Sequence, residues 1–594
     1  MRRLALLVAA VLCGPRMYCL AAPEGVADAV YLHGTIYTLD RRESKAQSLA
    51  VRDGVLVYVG DDAGARPFIG THTSVRDLGG RTVLPGLIDG HLHPLAGGHT
   101  LIGCNLNYDR LTQQQLLDRI RKCLDETRDR EPDGWLQVRN WFQEAMIGNA
   151  VMSRAMLDQL PTHRPIFVLS SFGHTALVNT RALALAHIDA RTPDPPGGQI
   201  IHDARGVPTG LLQDAAFEPV VAALPPPSAA EDLKAALAAL AALNSQGVTT
   251  FLDAAASPQS LAAFAAVEKA GKLTARAHFA VLIRPADARD PLKAVSAAHA
   301  LAARYDQGPI EPRPHLSVHN IKLFMDGVIT APAMTGAMLE PYFVNVGTAD
   351  KPQWTPGPSR GPAPYFDPAT LRAVLLEAAR NGLEPHLHAD GDRAVHAALE
   401  GIAALREKFP PATVRAAIAH DEIVDPRDFR RFGAVDAVPV LSFQWEKPAP
   451  DTVDGAQDYL GPARYRYMEP AAFLADAGAR LAFGSDWPVD RLNEWFALKV
   501  GVTRTNAPDV APKYRGRLSE DRGLTRTQVL RAATEGAAYE LHEEKRIGTL
   551  EVGKIADLII LDRNVLEIPA DDIANVRVWE TVVGGNSVYR AADR

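Results

Sequence analysis

Two histidines stand where a short apolar segment of the chain ends. The segment Leu84–Gly90 runs directly into His91-Leu92-His93, and Pro94 follows. Because side chains alternate along a strand, His91 and His93 are expected to point in the same direction. Two imidazoles on one side of a strand can chelate a divalent cation such as Zn²⁺. This spacing indicates a metal site at the end of the strand.

A lysine and a second histidine pair accompany two further apolar segments. Lys322 lies within the apolar segment Asn320–Phe324. A buried lysine must either pair with an acid or lose its proton and become neutral. The sequence leaves open whether Lys322 pairs with Asp326 or another acid, or adds CO₂ to become a carbamate that can bridge metals. His386 and His388 alternate onto one face at different depths, so only one of them need be a ligand.

His420 and Asp486 complete the set of candidates. His420 ends the apolar segment Ala416–Ala419, where a lone histidine is more often a hydrogen-bonded structural residue. Asp486 follows Leu481–Ser485. An acid there can bind a metal and accept a proton from a water molecule whose pKa the metal lowers towards about 7. The order of these groups at successive segment ends, more than any one of them, indicates a metal-dependent hydrolase.

These groups can meet only if the strands that carry them lie side by side. Short apolar segments alternate with Ala- and Leu-rich helical ones, which is typical of a parallel α/β fold. We expect strands at 83–90, 248–253, 276–283, 318–324, 384–388, 415–420, 438–443 and 481–486, and helices at 229–245, 369–381 and 392–408. Eight strands suit a closed (β/α)₈ TIM-like barrel, whose active site lies at the carboxyl ends of the strands.

Both ends of the chain carry a different pattern, of short alternating strands. Asp53-Gly54 between two apolar strands predicts a hairpin, and the same pattern of short apolar strands recurs around Leu558–Leu561. Neither end has enough strands to bury a core alone. We therefore predict one small β-sandwich domain formed from both termini, a barrel and an insertion that contains the apolar segment Pro165–Ser170. The predicted boundaries are 27–84 and 536–590 for the small domain, 85–535 for the barrel and about 103–230 for the insertion.

The composition and the N-terminus restrict the class and the location of the protein. The chain has 594 residues, of which 47% are hydrophobic and 22% charged, and a formal net charge of −7 without a basic stripe. Nothing points to nucleic acid. Arg2 and Arg3 precede the apolar Leu4–Gly14, and small residues follow near Ala21 and Ala22, which predicts a signal peptide at 1–22.

The predicted signal implies that the mature protein is secreted or periplasmic. No later stretch reaches the ~20 apolar residues of a spanning helix, so we expect no stable membrane anchor after cleavage. Cys104 and Cys123 are the only cysteines after the signal. In an oxidising compartment they could form one disulfide, which the sequence leaves open.

As an ensemble, the motifs resemble the metal-dependent amidohydrolase superfamily, in particular its branch that includes the N-substituted formamide deformylases. The resemblance covers nearly all of the mature chain, through segments 31–40, 85–93, 173–179, 247–250, 322–327, 388–393, 484–488 and 548–558. The chain departs from the family pattern at Asp390, where an apolar or neutral residue is usual. This extra acid bears on substrate preference.

The resemblance also implies the ligands and the reaction. One metal is expected on His91, His93 and Asp486, a second on His388 and His420, and a carbamylated Lys322 between them; the metal would be one or two Zn²⁺. The expected reaction is hydrolysis of a non-peptide, amide-like C–N bond of a small molecule by a metal-activated hydroxide. Asp486 would orient the hydroxide, and the second metal or a pocket donor such as His174 would stabilise the developing oxyanion.

Two other functions remain open from the sequence. A heterocycle deaminase of the same superfamily would use one metal and an uncarbamylated Lys322. A metal-bearing binding protein would show no turnover, although such a protein would be free to lose Asp486. The substrate and the assembly of a homo-oligomer are not fixed by the sequence.

Overall fold

A sheet of eight parallel strands forms the centre of the molecule. The computed structural model describes residues 25–129, 132–143, 146–148, 152–171, 173, 175–195, 198–331, 333–348 and 350–592. The eight strands pair in chain order and are Leu87–Leu92, Val248–Ala256, Arg276–Leu282, Leu316–Phe324, Glu384–Ala389, Ala417–His420, Val438–Leu441 and Ala482–Phe483. Each overlaps one predicted strand. The ring closes where the backbone N–H of Asp486 donates to the carbonyl of His91 over 2.7 Å. The predicted barrel is thus confirmed.

Helices connect and cover the barrel strands. Their bounds are Pro94–Ile102, Ala229–Gln246, Pro258–Lys269, Pro291–Tyr305, Pro368–Arg380, Asp392–Arg406, Phe429–Val435, Ala471–Asp476, Glu494–Thr503 and Arg526–Arg531. The three helices expected from the sequence are among them. In the part of the chain that the structure describes, no helix is both long and apolar enough to cross a membrane. The predicted signal segment, 1–22, lies outside the described residues.

The first barrel strand differs from its prediction. Thr82–Pro85 is a separate strand that pairs antiparallel with Leu558–Leu561 of the small β domain, so the barrel strand begins only at Leu87. The two strands meet at Gly86, where an added Cβ would lie 2.3 Å from the side chain of Thr249. The close approach of the second barrel strand therefore requires glycine. One apolar segment of the sequence thus forms two strands, which belong to two different sheets.

Two packed sheets form the small β domain. The first sheet contains Val55–Gly60, Ser48–Arg52, Ala29–Leu32 and Ser74–Asp77, and the second contains Asn586–Arg590, Val578–Val583, Leu558–Leu561, Thr82–Pro85, Thr35–Tyr37 and Lys45–Ala46. Leu49 and Leu56 of the first sheet share a buried cluster with Ile560 and Val582 of the second. Residues from both ends of the chain therefore build one β-sandwich, as the sequence predicted.

A further six-stranded sheet lies between the first and second barrel strands. Its order is Gly198–His202, Pro208–Asp214, Thr175–Val178, Ile166–Ser170, Leu136–Trp141 and Cys104–Asn105. A disulfide joins Cys104 to Cys123 of helix Gln113–Thr127. We refer to this part of the chain as the insertion sheet.

A buried ion pair ties the barrel to the C-terminal part of the small domain. Arg276 of the third barrel strand donates from Nε to Asp557 Oδ2 over 2.7 Å, and both side chains are almost fully buried. Asp557 also accepts from the N–H of Gly584 over 2.7 Å. Breaking a buried pair leaves a charge that neither water nor a partner stabilises.

Arg276→Met is therefore expected to lower the free energy of unfolding by about 3–5 kcal/mol, measured by urea unfolding. Arg276→Met combined with Asp557→Asn should recover much of that loss. The control is Arg313→Met, which removes an exposed partner of Glu268 and should cost about 0–1 kcal/mol. Equal losses for Arg276→Met and Arg313→Met would contradict the role given to the buried pair.

Candidate metal centre

Polar side chains from five barrel strands meet at the carboxyl end of the sheet. They are His91 of the first strand and His93 directly after it, Lys322 of the fourth, His386 and His388 of the fifth, His420 at the end of the sixth and Asp486 after the eighth. All except His93 are buried. Groups separated by almost 400 positions in the sequence thus share one small volume.

One candidate ligand group forms around Asp486. The ligand atoms of His91, His420 and Asp486 all lie within 4.8 Å of one another. Asp486 Oδ1 is also 3.1 Å from His93 Nε2 and 3.5 Å from His91 Nε2. The predicted set of His91, His93 and Asp486 is therefore brought together, with His420 beside it.

A second candidate ligand group shares His420. The ligand atoms of His388, Asp390 and His420 lie within 4.8 Å of one another, and His388 Nε2 is 3.6 Å from Asp390 Oδ1. Sequence reasoning noticed Asp390 as an extra acid but gave it no ligand role. The signal that could have found it was its place immediately after the fifth strand.

His386 has a different position from His388. Its Nε2 is 2.7 Å from His91 Nδ1, and its Nδ1 is 2.9 Å from Glu540 Oε1. This contact leaves Nε2 of His91 on the side of Asp486 and Lys322. Such partners orient a ligating imidazole. Of the two histidines on this strand, His388 is thus the candidate ligand and His386 supports His91; no motif pointed to Glu540.

Lys322 is fully buried beside the histidines. Its Nζ lies 3.4 Å from His91 Nε2, and burial lowers the pKa of Lys322 to about 7. Asp326 instead accepts from the backbone N–H groups of Ala337, Asp390 and Gly391, over 2.8–3.0 Å. Lys322 therefore does not pair with Asp326, which was one of the alternatives that the sequence left open.

Asp89 fixes the backbone that carries the ligands. Its Oδ1 accepts from the N–H groups of Ser485 and His91, and its Oδ2 accepts from the hydroxyl of Ser485. Burial raises the pKa of Asp89 to about 7 and holds that of its neighbour Glu494 well above its usual value. Asp486 itself has a φ of 52°, a left-handed conformation that is uncommon for a residue with a Cβ. The carboxyl of Asp89 thus joins the first and eighth strands directly behind Asp486.

The donor atoms fit a divalent metal. His420 Nδ1, Asp486 Oδ1 and Asp390 Oδ1 are buried, and none of them has a hydrogen-bond partner among the described residues. Burial together with the nearby Lys322 holds the pKa values of His91 and His420 well below the usual range, which favours the neutral form that binds metals. Buried polar atoms without partners are costly unless a ligand satisfies them.

A cavity of about 980 Å³ adjoins this centre. His93 and Asp253 line it on the barrel side, and Arg139, Asn140 and Ser170 line it on the side of the insertion sheet. The metal centre and the insertion thus face one space large enough for a small molecule. His174, the other predicted catalytic residue, lies outside the described residues.

Comparisons with known proteins agree with this architecture. A model of the Amidohydrolase family matches residues 74–589. Protein LONG AFTER FAR-RED 3 of Arabidopsis thaliana is 28% identical over 583 residues, which cover 96% of this chain and 93% of that protein. The N-substituted formamide deformylase of Arthrobacter pascens is 24% identical over 575 residues, covering 94% and 97%.

A solved structure shares the fold. An uncharacterized metal-dependent hydrolase from Pyrococcus horikoshii OT3 matches with a TM-score of 0.70 and 22% identity, over 91% of this chain and 99% of that one. Together with the family match over most of the sequence, this confirms the resemblance carried by the motifs. The chain belongs to the amidohydrolase family of metal-dependent hydrolases.

Proposed function

We propose that this protein hydrolyses a non-peptide, amide-like C–N bond of a small molecule. The observation that carries the proposal is the convergence of His91, His93 and Asp486, whose buried Oδ1 has no hydrogen-bond partner in the described structure, beside a cavity. The relative from Arthrobacter pascens, named for deformylation of N-substituted formamides, supports an amide as the substrate class.

His91, His93 and Asp486 would hold one metal, which we propose to be Zn²⁺ because imidazole and carboxylate donors suit it. When bound, a metal polarises a substrate carbonyl and lowers the pKa of a water molecule. Asp486 would orient the attacking water, accept its proton and pass that proton to the leaving nitrogen. His174 would donate a hydrogen bond to the developing oxyanion.

His388 and His420 would hold a second metal, with Asp390 as a third ligand. The short separations within this group and the unsatisfied Oδ1 of Asp390 support the assignment. Lys322 lies against His91, and the burial that favours its neutral amine would favour reaction with CO₂. The resulting carbamate would bridge the two positions.

Asp390→Asn should remove most of the metal from the second position, because a neutral amide is a weaker ligand than a carboxylate. Losing only an outer partner of a metal ligand typically weakens metal binding about 10–100-fold, so we expect loss of the ligand itself to lower metal content from about two ions per chain towards about one. Inductively coupled plasma mass spectrometry of the purified protein measures this content.

Asp392→Asn is the matched control for this prediction. Asp392 is buried two positions away, but it accepts a hydrogen bond from the N–H of Leu339 over 2.7 Å and belongs to neither ligand group. Its variant should keep the wild-type metal content. Unchanged metal content in Asp390→Asn, or an equal loss in both variants, would contradict a ligand role for Asp390.

A screen of zinc-loaded protein over N-formyl and N-acyl amines, acyl amino acids, cyclic amides and amino-heterocycles tests the proposed activity, with and without chelator. The proposal predicts chelator-sensitive release of an amine from an amide. Release of ammonia from heterocycles alone, with one metal per chain, would establish the deaminase instead. If no compound is turned over, the alternative of a metal-bearing binding protein without catalytic activity is favoured.

We also propose that the protein acts outside the cytoplasm. The predicted signal peptide supports export. The disulfide between Cys104 and Cys123 is the kind of bond that persists in an oxidising compartment. Fractionation of cells that express the full chain, followed by detection of the mature N-terminus, tests this location.

A further inference from the structure

A positively charged side chain with no counter-charge among the described residues lies on the part of the cavity wall that the insertion sheet forms. Arg139 belongs to strand Leu136–Trp141 of the insertion sheet and is half-buried, as is Gln137 two positions before it. Both line the cavity that His93 also lines. Alternation along the strand puts Gln137 and Arg139 on the same face, while Leu136 and Val138 pack into the core behind them.

Few groups of the protein satisfy this guanidinium. Arg139 Nη2 donates to Gln137 Oε1 over 2.6 Å, and the guanidinium lies 5.8 Å from the ring centre of Phe167. Gln137 is neutral, and none of the ion pairs within the described residues involves Arg139. Burial alone lowers the pKa of Arg139, without an opposing contribution from a carboxylate. A guanidinium offers five N–H donors, so most of its donors face no acceptor within the part of the chain that the structure describes.

Another arginine of the same cavity is satisfied differently. Arg164 donates to the carbonyls of Gly134 and Trp135 and to the hydroxyl of Thr127, over 2.6–3.2 Å. These bonds fix Arg164 as part of the wall. Among the described residues of the inner wall, Arg139 is therefore a cation that remains available to a ligand. Keeping a half-buried charge without a counter-charge among the described residues is costly, which indicates that a bound molecule supplies that counter-charge.

We propose that Arg139 binds a carboxylate of the substrate, so that the preferred substrates are amides that also carry a carboxylate, such as N-acyl amino acids. This inference rests on the proposed amide hydrolysis and names its substrate class. The planar guanidinium fork matches the two oxygens of a carboxylate. One guanidinium balances the single charge of a carboxylate, whereas a phosphate group usually requires more donors. The cavity would hold the amide at His93 and the carboxylate at Arg139.

Paired substrates test the assignment. N-acetylglycine, N-acetyl-β-alanine and N-acetyl-γ-aminobutyrate would each be compared with the N-alkylacetamide that lacks the carboxylate. For Arg139→Gln we expect kcat/KM on the best carboxylate substrate to fall about 100-fold, and that on its neutral partner to change less than about 3-fold. Arg139→Lys, which keeps the charge but loses the fork, should fall in between.

Lys234→Gln is the matched control, because it removes a positive charge from the exposed rim of the same cavity. It should change both members of each pair less than about 3-fold, since exposed charges are screened. Activity of Arg139→Gln on the neutral substrate shows that the variant is folded. Equal losses on both members of a pair, or a wild-type preference for the neutral member, would overturn the inference.

Binding separates this inference from the proposed reaction. If the zinc-loaded wild type hydrolyses neither these pairs nor any other amide of the screen described above, the proposed amide hydrolysis fails, and calorimetric titration with the same carboxylates still tests Arg139. A Kd at least about 10-fold weaker for Arg139→Gln, but unchanged for Lys234→Gln, supports carboxylate binding. Equal Kd values in the wild type and Arg139→Gln overturn it, as does tighter binding of the matched phosphonates.

Discussion

Asp486→Asn is expected to lower kcat at least about 1,000-fold while most of the metal remains bound. Asparagine keeps the shape of the side chain and one oxygen, but it cannot accept the proton of the attacking water. An amide is a weaker ligand than a carboxylate, so the assay contains excess zinc, which His91 and His93, 3.5 and 3.1 Å from Asp486 Oδ1, then continue to hold. Steady-state kinetics and metal analysis on the same preparation separate the two effects.

The matched control is Asp490→Asn. Asp490 follows Asp486 by four positions, but its carboxylate lies 3.9 Å from Lys447 Nζ and belongs to neither candidate ligand group. This variant should keep kcat within about 3-fold of the wild type, because it removes only a weak, partly exposed ion pair. Substantial turnover by Asp486→Asn with its metal bound would rule out the proton role.

Metal removal is expected to abolish activity and to lower the melting temperature together. Without a cation, Asp390 Oδ1, His420 Nδ1 and Asp486 Oδ1 stay buried and form no hydrogen bond with another described residue. A ligand at a thousand times its Kd stabilises the folded state by about 4 kcal/mol. Differential scanning calorimetry and an activity assay before and after chelation measure the two effects.

Zinc added back should restore both properties, and chelator already saturated with zinc should change neither. A chelated protein that proves metal-free yet melts at the holoenzyme temperature would show that these atoms are satisfied in another way. Full activity of the metal-free protein would exclude the proposed chemistry.

Much of the fold follows from local patterns in the sequence. The hairpin at Asp53-Gly54 forms as expected, because both residues adopt the positive φ values, 50° and 73°, that this short turn requires. The eight barrel strands were also found from their apolar segments. The break at Gly86 was not, because it depends on contact with Thr249, and a run of apolar residues carries no sign of where one sheet passes to another.

In the candidate site, too, some residues could be predicted from the local sequence, whereas others depend on contacts between distant parts of the chain. His91 and His93 could be predicted because a strand end fixes their common direction. The choice of His388 over His386 required the contact with Glu540, from a helix more than 150 positions later. The role of Arg139 could not be predicted from the sequence. A charged residue in a strand indicates a binding site only when its surroundings lack a counter-charge, and only the structure shows those surroundings.

The proposed chemistry requires that the ends of the barrel strands hold a cation. Anomalous diffraction from crystals of the zinc-loaded protein locates that cation. We expect a zinc peak at bonding distance, about 2.0–2.2 Å, from His91 Nε2, His93 Nε2 and a carboxylate oxygen of Asp486. A zinc-loaded, active protein whose anomalous peaks lie away from all three side chains would contradict that requirement.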